Sequence, residues 1–67
     1  MVSLGEQIAE AQRELALREN CYPRFIKSGR LSMDDAYHRL AAMRAIVQTL
    51  ERLEVEQQQH SLFRLPA

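Results

Sequence analysis

The sequence predicts an all-α protein built as a two-helix antiparallel hairpin, and three observations carry that reading. First, the segment Ser28-Gly29-Arg30-Leu31-Ser32 holds the residue types that stop one helix and start another. Gly29 can adopt the left-handed conformation that closes a helix, Leu31 can pack back over the turn, and the Ser32 hydroxyl can cap the second helix. Second, apolar residues on both sides of that segment recur at spacings of three and four, the period of a helix with one buried face. Third, 67 residues make one domain at most, and a chain of that size hides only about 60% of its unfolded surface. The expected organisation is a hairpin domain over residues 1–60 and a short hydrophobic tail over residues 61–67.

Helix 1 is expected from about residue 3 to residue 28. Its start is marked by Ser3-Leu4-Gly5-Glu6, in which hydroxyl and carboxylate each satisfy a backbone N–H left free by the helix. Its inward seam comprises Leu4, Ile8, Ala11, Leu15 and Tyr22, with Arg18 at the intervening position. Leu17 falls on the opposite side from Ile8, either as a lone exposed leucine or as a second contact. Pro23 lacks an N–H and presses on the carbonyl of Glu19. The expected result is a helix bent near Tyr22, with a short separate helix from Pro23 as the alternative.

Helix 2 is expected over about residues 32–59. Asp34 and Asp35 suit the positive end of its dipole, and Leu31 with Ala36 occupies the positions of a weak hydrophobic staple. Its apolar stripe runs through Met33, Ala36, Leu40, Met43, Ile46, Val47, Leu50 and Leu53, broader than one neighbouring helix can cover. Tyr37, Ala41, Arg44 and Gln48 follow one margin of the stripe, and Arg39, Ile46 and Leu53 the other. Asp35 with Arg39 and Arg52 with Glu56 are spaced as helical ion pairs. The run Glu54-Val55-Glu56-Gln57-Gln58-Gln59 has no face to bury, so fraying is expected near His60. The tail Ser61-Leu62-Phe63-Arg64-Leu65-Pro66-Ala67 is hydrophobic enough to pack back on the hairpin or to hook a partner.

Small domains offset a thin core with disulfides, metals or self-association. Cys21 is the only cysteine, which removes an internal disulfide and a cysteine-rich zinc site and leaves Cys21 as a small hydrophobe. His38 and His60 lie far apart without a ligand pattern, and Gly5 and Gly29 form no phosphate loop. No set of converging catalytic groups can be assembled. The expectation is therefore a non-enzyme without metal or cofactor, stabilised as a homodimeric helical bundle. Its hairpin and dimer core is drawn from Ile8, Leu15, Tyr22, Leu40, Met43, Val47 and Leu50.

Nine Lys and Arg balance nine Asp and Glu, so no net field draws the chain to nucleic acid or an acidic membrane. Arg24, Lys27 and Arg30 form a small basic cluster that suits a helix C-terminus better than a phosphate backbone. The apolar runs are too short to span a membrane. The opening residues lack a basic stretch followed by an apolar core, and the expectation is a cytoplasmic protein. Tyr37, with small Ala41 one turn later and Arg44 and Gln48 beyond, is the candidate edge for a protein partner; the other reading of Tyr37 closes the rim of the core.

Residues 13–50, read as R-x-L-A-L-R-E-x-x-Y-P-R-x-x-x-S-G-R-L-S-x-x-x-A-x-x-R-L-A-x-M-x-A-I-x-x-T-L, resemble a group of very small phage and prophage proteins. The marks of the resemblance are Tyr22-Pro23-Arg24, Gly29, Ala36, Leu40, Met43 and Ile46. In size and architecture the chain is similar to the quorum-sensing anti-activators of Mu-like phages. That resemblance implies a dimeric, non-enzymatic inhibitor working in the host bacterial cytoplasm. It would bind the ligand-binding domain of a LuxR-type transcription activator, with the type IV pilus assembly ATPase as a further implied target. Two other readings stand beside it. One is a small DNA-binding regulator, since two helices around a glycine turn outwardly resemble a helix-turn-helix. The other is an accessory protein of phage structure or assembly.

Overall fold

The computed structural model describes the backbone of residues 1–63 and the side chains of residues 1–59. Two helices account for nearly all of this: α1 spans Leu4–Ser28 and α2 spans Met33–Phe63. The ends of α1 are set by its own residues. Ser3 is the N-cap in extended conformation; its hydroxyl accepts from the Glu6 N–H at 3.1 Å, while the Ser3 N–H donates back to Glu6 Oε1 at 3.4 Å. At the other end Gly29 takes φ 82°, and its N–H donates to the Ile26 carbonyl while the Arg30 N–H donates to that of Phe25. These two bonds make a Schellman closure, which satisfies carbonyls that the helix leaves open. The Arg30 guanidinium then lies 5.9 Å from the Phe25 ring centroid, in the place where such closures usually carry an apolar contact.

The second helix is launched within three residues of that closure. The Ser32 hydroxyl accepts from the Asp35 N–H at 3.0 Å, and its carbonyl accepts from the Ala36 N–H. Leu31 is half-buried and Ala36 is only 2% exposed.

α1 runs unbroken through Pro23 to Ser28, the extent expected for it, which sets aside the alternative of a separate helix from Pro23; one missing N–H is tolerated in a helix capped at both ends. Two expectations about the elements need correction. α2 does not stop at residue 59 but continues to Phe63. Extending an established helix through His60, Ser61, Leu62 and Phe63, none of them Gly or Pro, costs little compared with nucleating one. The boundary expected at residue 60 therefore falls inside α2, and the rest of the predicted tail lies outside the described residues. The paired charges Asp35 with Arg39 and Arg52 with Glu56 are not in bonding distance among the described residues. The local helical pairs are instead Arg18 with Glu14 at 2.9 Å and Arg13 with Glu10 at 3.7 Å.

The helices pack antiparallel, with Glu19 bonded to Arg44 and Gln12 to Glu51. The buried side chains are Ile8 and Tyr22 of α1 and Ala36, Met43 and Val47 of α2. Leu4, Ala11, Leu15, Arg18 and Phe25 are half-buried along the same line of α1, as are Leu40, Leu50 and Glu54 along that of α2. Both lines advance by alternating steps of three and four, so the interface is a single coiled-coil-like seam. The Tyr22 and Phe25 rings, 6.3 Å apart between centroids, close it near the turn. At the far end a Cβ on Gly5 would stand 3.8 Å from Glu54 Oε2, so α2 continues beyond the start of α1.

This seam leaves much of the molecule open. The chain exposes 5686 Å², whereas a folded monomer of 7.8 kDa typically exposes about 4,400 Å².

Candidate protein-interaction surface

The antiparallel register gives the hairpin two unlike sides. On one, polar groups bridge the helices: the Arg44 guanidinium donates to Glu19 Oε2 at 3.2 Å, and Gln12 Nε2 donates to Glu51 Oε2 at 3.1 Å. Gln12 and Glu19 are one heptad apart on α1, as are Arg44 and Glu51 on α2, so the two bonds repeat along one edge of the seam. Both are solvent-exposed and their energetic worth is small. Their value is in fixing register, since charged partners displaced by a turn would lose both bonds.

Tyr37 stands one heptad before Arg44 on this edge and is 77% exposed. The ring does not close the core; Ala36 beside it does. Ala41 and Gln48 are exposed on the same edge, next to Arg44. The four candidate partner residues thus share a continuous helix margin, although Arg44 already holds Glu19. Of the seven expected core residues, Ile8, Tyr22, Met43 and Val47 are buried, while Leu15, Leu40 and Leu50 are half-buried on the same seam.

The opposite side mixes aliphatic groups with Glu14 and Arg39. Ile46 and Leu53 are 49% and 42% exposed on α2, with Leu17 and half-buried Cys21 toward the same side of α1. Seen in sequence, Ile46 and Leu53 are part of an overly broad stripe; in the fold they are the part α1 fails to cover. Met33, also in that stripe, is exposed near the turn.

The basic cluster is partly engaged with its own helix end. Arg30 lies over Phe25, and Arg24 Nη2 approaches Cys21 Sγ at 3.5 Å. Among the described residues no group of His, Cys, Asp and Glu is placed to hold a metal ion, and no helix is long and apolar enough to cross a membrane. What sequence reasoning missed are the two polar bridges. Their signal was a pair of polar residues at heptad spacing on each helix, which becomes informative only once the register is known.

Comparison with protein-family models, curated proteins and solved structures returns no match to this chain.

Proposed function

We propose that this chain is a phage-encoded, non-enzymatic inhibitor that acts as a homodimer in the host bacterial cytoplasm by binding a host regulatory protein. The observation that carries the binding reading is the exposure of Tyr37, at 77%, on a rigid helix margin beside small Ala41. A tyrosine held there offers a large contact area and a phenolic hydroxyl at little cost in side-chain entropy. Two helices with a shared seam supply a rigid platform for such an anchor.

The target class rests on the likeness in size and architecture to the quorum-sensing anti-activators of Mu-like phages, while residues 13–50 resemble a wider group of very small phage and prophage proteins. On that basis the proposed target is a LuxR-type transcription activator, engaged through its ligand-binding domain and so kept from DNA. The type IV pilus assembly ATPase is the further target that the same resemblance brings. Equal numbers of acidic and basic residues weigh against direct operator binding by this chain.

The test uses purified chain and a purified LuxR-type activator in an operator gel-shift titration. The expected result is loss of the activator–operator complex with wild-type chain and little loss with Tyr37→Ala. An activator that binds its operator equally well at saturating chain would overturn the target. Capture from host lysate then separates a transcription regulator from capsid or tail proteins, and recovery of the latter would transfer the chain to virion assembly.

A further inference from the structure

We infer that α2 carries a second, self-complementary seam, formed by Arg39, Ala42, Ile46, Thr49, Leu53 and Glu56, on which a second copy of this chain docks antiparallel. These six residues advance by steps of three and four, as the residues of the internal seam do, and all six are exposed in the single chain. At about 100° per residue they centre about a third of a turn from the Ala36–Met43–Val47 line, on the side away from Tyr37. α2 therefore presents one coiled-coil face to α1 and another to solvent.

The order of residues in the second seam states what covers it. A two-fold axis perpendicular to α2 and passing beside it, at the level midway between Ile46 and Thr49, sets Ile46 against Thr49 of the second copy and Leu53 against its Ala42. The same axis sets Arg39 against Glu56 of the second copy and, by symmetry, Glu56 against its Arg39. Large aliphatic groups thus face small ones at the centre, and opposite charges meet at both ends. Neither Arg39 nor Glu56 has an ion-pair partner within its own chain among the described residues, so both are free to meet the second copy. The result is a four-helix bundle with the two α2 helices at its centre and both Tyr37 margins facing outward.

The second seam deepens the homodimer of the proposed function and is independent of the host target. It separates self-association and partner capture onto different faces of one helix.

Charge exchange tests it, read by sedimentation equilibrium at low salt on wild type, Arg39→Glu, Glu56→Arg and the double variant. Each single reversal places like charges at both ends of the seam and is expected to weaken dimerisation about tenfold or more, whereas the double variant recovers most of it. Circular dichroism at the same concentrations establishes that all four chains are helical. Single variants that dimerise as wild type does, a double variant as weak as the singles, or a wild-type monomer would each overturn the seam. A dimer that shows this recovery yet binds no regulator would leave the seam in place and count against the proposed function.

Discussion

Replacing Met43 and Leu53 separately by alanine distinguishes the two faces of α2 by energy. Met43 is 7% exposed and stands between Ala36 and Val47 on the internal seam, whereas Leu53 is 42% exposed at its margin. Truncating a buried methionine costs about 2–5 kcal/mol. A two-helix seam can close partly over the lost side chain, which places Met43→Ala near 2–3 kcal/mol on that scale. A chain of this length has only about 3–10 kcal/mol in total, so the loss is a large share of it. For a domain this small it corresponds to a fall in melting temperature of roughly 10–20 °C. Leu53→Ala removes a side chain only partly covered within one chain and should cost the dissociated hairpin about 1 kcal/mol, well below Met43→Ala. The rest of its cost appears only where dimer is populated, because association adds to apparent stability by mass action. Thermal unfolding followed by far-ultraviolet circular dichroism over a wide range of concentration separates the two. Met43→Ala should melt lower throughout, whereas the deficit of Leu53→Ala should shrink on dilution to well below that of Met43→Ala. Equal losses from the two substitutions at the lowest concentration would refute the division of α2 into an internal and an external face.

The same geometry sets three further outcomes. Gly29→Ala should destabilise by about 1–2 kcal/mol, the backbone cost of a left-handed L-residue, because φ is 82° and no atom lies within 4 Å of the added Cβ; chemical denaturation measures it, and an unchanged midpoint would show that the turn tolerates another conformation. A double-mutant cycle on Glu19 and Arg44 should give a coupling below about 1 kcal/mol that declines with salt, since both side chains are about half exposed. Tyr37→Ala should leave helicity and dimerisation intact while weakening capture of the regulator, and a substantially lower melting temperature in that variant would return Tyr37 to a structural role.

The local punctuation of this fold is legible in the amino-acid sequence because each signal acts over a few residues. Ser3 with Glu6, Gly29 and Ser32 behave as their side chains and backbone freedom dictate, and the three-and-four repeat locates the seam. Pro23 is less transparent. Its ring removes one hydrogen bond, but the surrounding twenty-five-residue helix has enough others to continue. The end of α2 escapes for a related reason: no Gly or Pro lies between His60 and Phe63, and an established helix propagates at little cost where nothing stops it. The bridges Gln12–Glu51 and Glu19–Arg44 depend on register between distant segments, which local propensity does not contain. At the candidate surface, spacing places Tyr37 at a margin but leaves open whether its ring turns inward. The fold resolves this because Ala36, one residue earlier, takes the inward position. Partner identity is a different matter, since an exposed tyrosine and an aliphatic ridge suit many proteins and hairpins host unrelated functions.

Completion of the hairpin by association is tested most directly by the solution mass of the wild-type chain, measured by sedimentation equilibrium. At micromolar concentration it should be twice the 7.8 kDa of the single chain, because the proposed second seam places Ile46 and Leu53, which α1 leaves 49% and 42% exposed, against a second copy. A helical species of single-chain mass, persisting as concentration is raised, would contradict the claim that a second copy supplies that surface.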